Sequence, residues 1–104
     1  MSVFEVRIEG DARVVVLGEL DMATAPQLTS AFESLLGARP PQEVVDLGGV
    51  SFMDSRGVAA LCRGQSTLEA AGGVLVLGPV SRQVQSVLKM LGLEGRFVVE
   101  PDVA

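Results

Sequence analysis

Hydrophobic residues in this chain switch between two rhythms, and the order of the switches leaves few folds open. In "VFEVRI" (3–8), Phe4, Val6 and Ile8 alternate with Glu5 and Arg7, the period of a half-exposed strand. Gly10-Asp11 is turn chemistry, and "RVVVL" (13–17) reads as a more buried strand, so a β-hairpin opens the domain. The rhythm then lengthens. Leu28, Ala31, Phe32, Leu35 and Leu36 recur at helical spacing along one face. Thr24 as N-cap with Gln27 makes a capping box, Pro26 sits in the first turn, and Gly37 with Pro40-Pro41 stops the helix.

The alternation repeats. "EVVDL" (43–47) is the next strand, followed by a helix over 55–71 with Val58, Leu61, Cys62 and Leu68 inward and Gly72-Gly73 at its end. "VLVL" (74–77) reads as a strand buried on both faces. A third helix starts near Ser81, carries the stripe Val84, Val87, Leu88 and Leu91, and stops at Gly92; "RFVV" (96–99) supplies a last strand. Strands alternating with helices require right-handed crossovers and a mostly parallel sheet. The predicted class is a single α/β domain over 1–104, with a mixed, mainly parallel sheet, an N-terminal hairpin and three main helices.

A chain of 104 residues is long enough for a core without staples, and its single Cys62 forms no internal disulfide. With no His and no Cys cluster, neither a metal nor a cofactor is expected. Apolar runs of four or five residues fall well short of a membrane span, and the alternating N-terminus does not read as a signal peptide. The expectation is a cytoplasmic protein without membrane insertion. A net charge of −5 with scattered basic residues argues against nucleic-acid binding.

In such a sheet, ligand and partner sites gather in the loops beyond the carboxyl ends of the strands. Three qualify: "GELDMAT" (18–24), "GGVSFMDSRG" (48–57) and "GPVS" (78–81). The first two bring Glu19, Asp21, Asp54, Ser55 and Arg56 into one neighbourhood. A serine nucleophile needs a base, and "MDSRG" lacks both a histidine partner and the leading glycine of a nucleophile elbow. A receiver domain phosphorylated at Asp46 would need further strand-end carboxylates and a strand-end lysine, but the only lysine, Lys89, falls within the third helix. Catalysis is not expected, and Ser55 reads as acted upon.

"GELDMATAPQL" (18–28), "VVDLGGVSFMDSRGVAAL" (44–61) and "GGVLVLGPVSRQVQSVLKMLGL" (72–93) resemble, in order and spacing, the STAS family of anti-sigma factor antagonists. The resemblance implies a bacterial partner switch of the kind that governs stress responses. The unmodified protein binds an anti-sigma factor that is also a serine kinase and so frees the sigma factor. The kinase then phosphorylates the serine of Asp-Ser-x-Gly, here Ser55, and binding is lost until a serine phosphatase resets it. Partner contacts are expected from Glu19, Asp21, Thr24, Met53, Asp54, Arg56 and Gly57.

Two departures stand out. Arg56 replaces the small Ser or Thr usual in the family, which bears on partner choice and could let a guanidinium pair with a phosphate on Ser55. The sequence ends at "EPDVA" (100–104), where many members continue into an amphipathic helix; the expectation is surface left exposed or covered by a second copy in a weak homodimer. Bland readings stand beside these. Ser55 could be only an N-cap, as Ser81 is expected to be, and Glu19 and Asp21 only solvated acids. Asp46 is read as a structural acceptor for loop amides and Cys62 as core, while Met22 and Met53 are either adaptable contacts or gap-fillers. The alternative function is a STAS accessory subunit that docks, unphosphorylated, on the ATPase of a membrane transport complex. A hydrolase using Asp54 and Ser55 ranks last.

Overall fold

The computed structural model describes residues 4–10, 12–36 and 42–100. Eight elements follow in the predicted order: β1 (Phe4–Glu9), β2 (Arg13–Leu20), α1 (Ala25–Leu36), β3 (Gln42–Met53), α2 (Ser55–Ala70), β4 (Val74–Val80), α3 (Arg82–Met90) and β5 (Val98–Val99). They form one five-stranded sheet in sequence order, antiparallel between β1 and β2 and parallel thereafter. Each crossover steps in the same direction, and three right-handed crossovers in one direction place all three helices on one face. The core shows this. Val14, Val16, Val45, Leu47, Leu75 and Leu77 come from one face of the sheet and meet Leu28, Phe32, Leu35, Leu61, Leu68, Val84 and Leu88 from the helices. On the opposite face Val15, Val44 and Val76 are also buried, beside an Arg13 guanidinium that pairs with Asp46 and Glu100 at 3.4 Å each.

Several expectations need correcting. The segment 48–53, read as loop, continues β3, and β2 likewise runs on to Leu20. The glycine pair within it serves close approach: a Cβ at Gly49 would collide with Leu17, and one at Gly48 would lie 3.2 Å from the Asp46 carboxylate. Thr24 does not close a capping box, because its hydroxyl turns back to donate to the Glu19 carbonyl at 2.7 Å. Leu91 is half exposed and caps α3 instead of continuing its apolar stripe. The expectations for Asp11, for the side chain of Leu36, for the stop at Gly37 and Pro40-Pro41, and for the final residues 101–104 fall outside the described residues.

The other readings hold locally. Ser81 caps α3, accepting from the Val84 amide at 3.2 Å. Asp46 accepts from the Gly48 amide at 2.9 Å, and Cys62 packs against the core. One core residue is unexpected. Glu43, near the start of β3, is fully buried, and neither carboxylate oxygen finds a hydrogen-bond partner among the described residues. Burial pushes its carboxyl from the ordinary 4.5 up to about 7.

Candidate functional site

The two long strands β2 and β3 end side by side, and their ends carry the candidate residues. Register pairs Glu19 with Phe52 and Leu20 with Met53, and the Asp54 amide donates to the Leu20 carbonyl at 3.2 Å. The first loop is tightly folded. Asp21 Oδ1 accepts from the amides of Ala23 and Thr24 at 2.9 and 3.2 Å, and the Asp21 amide donates to the Thr24 hydroxyl at 2.9 Å. This Asp turn ties the acidic loop to the first residues of α1. It leaves Met22, 67% exposed, at the surface.

The second loop is shorter than expected, a single residue between β3 and α2. Asp54 has extended backbone, φ −111° and ψ −172°, and its Oδ1 accepts from the amides of Arg56 and Gly57 at 2.9 and 3.1 Å. The cap is therefore Asp54 and not Ser55. That assignment frees the Ser55 hydroxyl from capping. Ser55 becomes the first residue of α2 and is exposed, as is Arg56.

The expected contact residues divide into two groups. Glu19, Asp21, Thr24 and Asp54 are half-buried, whereas Ser55 and Arg56 are exposed. Met53 and Gly57 are buried and lie beneath this surface, with Met53 only 2% exposed. Gly57 is there for space: a Cβ would lie 2.8 Å from the Leu20 carbonyl oxygen and 3.0 Å from Met53 Cγ. Met53 is thus a gap-filler under the loop, and Phe52, 43% exposed, is an apolar residue at this end of the sheet that sequence reasoning passed over. A strand of unrecognised length hid it.

Sequence reasoning also missed Gln83. From the first turn of α3 its Oε1 accepts from the Met53 amide at 3.0 Å, across 30 residues of chain. No local pattern signals such a bond. A groove of about 440 Å³ lined by Arg82, Gln85, Lys89 and Val99 lies between α3 and β5 and does not include the Ser55 loop. Among the described residues no group of three metal-ligating side chains occurs, and no helix is long and apolar enough to cross a membrane.

An acidic turn and an aspartate-capped helix start, joined at the carboxyl ends of neighbouring parallel strands, are set in a sheet with its helices on one face. Matching the chain to known families agrees with this: the family model described as "Mlab, STAS domain" covers residues 4–100. The chain belongs to the STAS-domain family. An anti-sigma factor antagonist from Mycobacterium paratuberculosis is 27% identical with a TM-score of 0.78, covering 99% of this chain and 88% of that one. The Bacillus cell fate determinant SpoIIAA in its phosphorylated form is 23% identical with a TM-score of 0.67, covering 96% of this chain and 93% of that one. A sulfate transporter family protein from Wolinella succinogenes is 20% identical with a TM-score of 0.71, covering 89% of this chain and 80% of that one. The last two share the fold.

Proposed function

We propose that this chain is a phosphorylation-controlled anti-sigma factor antagonist. Unmodified, it binds an anti-sigma factor that is also a serine kinase and releases the sigma factor; phosphate on Ser55 ends binding, and a serine phosphatase restores it. The observation that carries this reading is the division of labour at the start of α2. Asp54 takes the cap amides and Ser55 stands exposed beside it, with Glu19 and Asp21 on the neighbouring strand end. The chain's likeness to an anti-sigma factor antagonist supports the same reading.

The physics of the switch follows from charge. A phosphate adds about −1.5 to −2 and sits well at a helix N-terminus, so the fold tolerates it. A partner seated over the loop meets that dianion together with Asp54 and the acids of the first loop. Like charges juxtaposed at an interface cost on the order of several kcal/mol, and each 1.4 kcal/mol is a tenfold change in affinity. The test is titration calorimetry against the anti-sigma kinase. Wild type and Ser55→Ala bind alike, whereas Ser55→Asp binds at least about tenfold more weakly.

A second reading is an accessory STAS subunit that docks on the ATPase of a membrane transport complex without being phosphorylated. Arg56 bears on the choice of partner, since an exposed cation at the second position of α2 departs from the small residue of the antagonist pattern. Affinity unaltered by Ser55→Asp, with an ATPase as the partner bound, selects this reading.

A further inference from the structure

We infer that Gln83 is a positioning residue for the Ser55 loop, linking α3 to the frame in which the serine is presented; its functional use rests on the reading above. The last register pair between β3 and β4 is Leu47 with Val80, and the Ser81 amide then donates to the Leu47 carbonyl at 3.2 Å. There the chain turns into α3, while β3 runs on to Met53. Backbone groups along a strand face a given neighbour at every second residue. β3 is irregular twice between Asp46 and Phe52, but the Asp54 amide faces Leu20 of β2, so the amide just before it, that of Met53, faces the side that β4 has left.

Gln83 fills that place. Its Oε1 accepts the Met53 amide at 3.0 Å, doing for the strand end what a further β4 residue would have done. The Met53 side chain is buried, so its amide would otherwise be left without a partner in a poorly solvated position. On the other side, the next amide, Asp54, donates to Leu20 of β2 at 3.2 Å. The amides of the two residues before Ser55 are thus held from opposite sides, one by a strand and one by a helix.

The clamp continues into α2. Asp54 Oδ1 takes the amides of Arg56 and Gly57, the Val58 amide donates to the Asp54 carbonyl at 3.1 Å, and Gly57 fits between Leu20 and Met53. The Asp54 amide and the close fit of Gly57 tie this start of α2 to Leu20 and Met53. Gln83 is the link that comes from α3, a helix that contributes no other described side-chain bond to this loop. Removing its acceptor oxygen frees the Met53 peptide and loosens the cap that aims Ser55.

Three variants separate position from packing: Gln83→Leu removes the acceptor and keeps volume, Gln83→Ala removes both, and Gln83→Glu retains an acceptor oxygen near a helix N-terminus that favours it. Amide hydrogen exchange on the whole chain is read by NMR. The expected result is exchange at Met53, Arg56 and Gly57 accelerated about tenfold in Gln83→Leu and Gln83→Ala, and close to wild type in Gln83→Glu, with Val45 unchanged. The same proteins are offered to the serine kinase with ATP, and phosphate incorporation at Ser55 should fall several-fold in the first two and recover in the third. Unchanged exchange at Met53 in Gln83→Leu, or acceleration spreading equally to Val45, overturns the clamp. Altered exchange with equal phosphate incorporation in all proteins overturns the positioning role while leaving Ser55 as acceptor. Wild-type Ser55 that takes no phosphate overturns the proposed function itself, and with it the use of the clamp.

Discussion

Gly57 approaches Leu20 so closely that a Cβ on the glycine would lie 2.8 Å from the leucine's carbonyl oxygen. The first turn of α2, which begins at Ser55, is thereby pressed onto the end of β2. Gly57→Ala forces backbone apart, because the obstacle is a carbonyl and not the tip of a flexible side chain. The expected cost is about 1–3 kcal/mol, seen as a lower thermal midpoint, with weaker protection of the α2 start by hydrogen exchange.

The cap of α2 is Asp54, and Ser55 lies outside it. Asp54→Ala removes the acceptor for two amides and should cost about 1 kcal/mol. Ser55→Ala, at an exposed position outside the cap, should change stability by less than about 0.5 kcal/mol. Chemical denaturation of the two variants gives the comparison directly. A larger loss from Ser55→Ala contradicts the cap assignment.

Glu43 makes stability depend on pH in an unusual direction. Its carboxyl is raised from 4.5 to about 7 in the folded chain, so the folded state keeps a proton that the unfolded state releases. This group penalises folding least below pH 4.5; the penalty grows as pH climbs towards 7 and is complete above it. A shift of that size corresponds to about 3 kcal/mol. Glu43→Gln should therefore stabilise the protein at pH 8 and much less at pH 5, measured by urea unfolding at both. Equal effects at the two pH values contradict the assignment.

Gly64 is a point of close approach between α1 and α2: a Cβ there would sit 2.5 Å from the Phe32 ring. Phe32 is 2% exposed and has little room to retreat. Gly64→Ala should destabilise by about 1–3 kcal/mol despite the better helix propensity of alanine. Gly64→Ala combined with Phe32→Leu should lose less than the sum of the two single changes.

Much of the architecture was legible because hydrophobic period reports burial directly. Phe4 and Val6 on one side of β1, the stripe Leu28–Ala31–Phe32–Leu35 and the doubly buried Leu75–Leu77 all follow their sequence patterns. What failed depended on distant chain. Gly48-Gly49 opens the segment expected as a loop, yet it lies within β3, where glycine makes room for Leu17 and Asp46. Adjacency could not say that Asp54 caps and Ser55 does not, since both are good caps and only backbone geometry separates them. Glu43 begins an apolar strand in the manner of a solvated end residue, and its burial comes from tertiary packing. Gln83 acts across the sheet end, where no spacing rule reaches.

The central claim is that Ser55 accepts the regulatory phosphate. Incubation with the serine kinase and ATP, followed by mapping of the modified residue by mass spectrometry, tests it most directly. The account predicts a single phosphate on Ser55, absent from Ser55→Ala. Phosphate on Ser66 or Ser81 that persists in Ser55→Ala contradicts it.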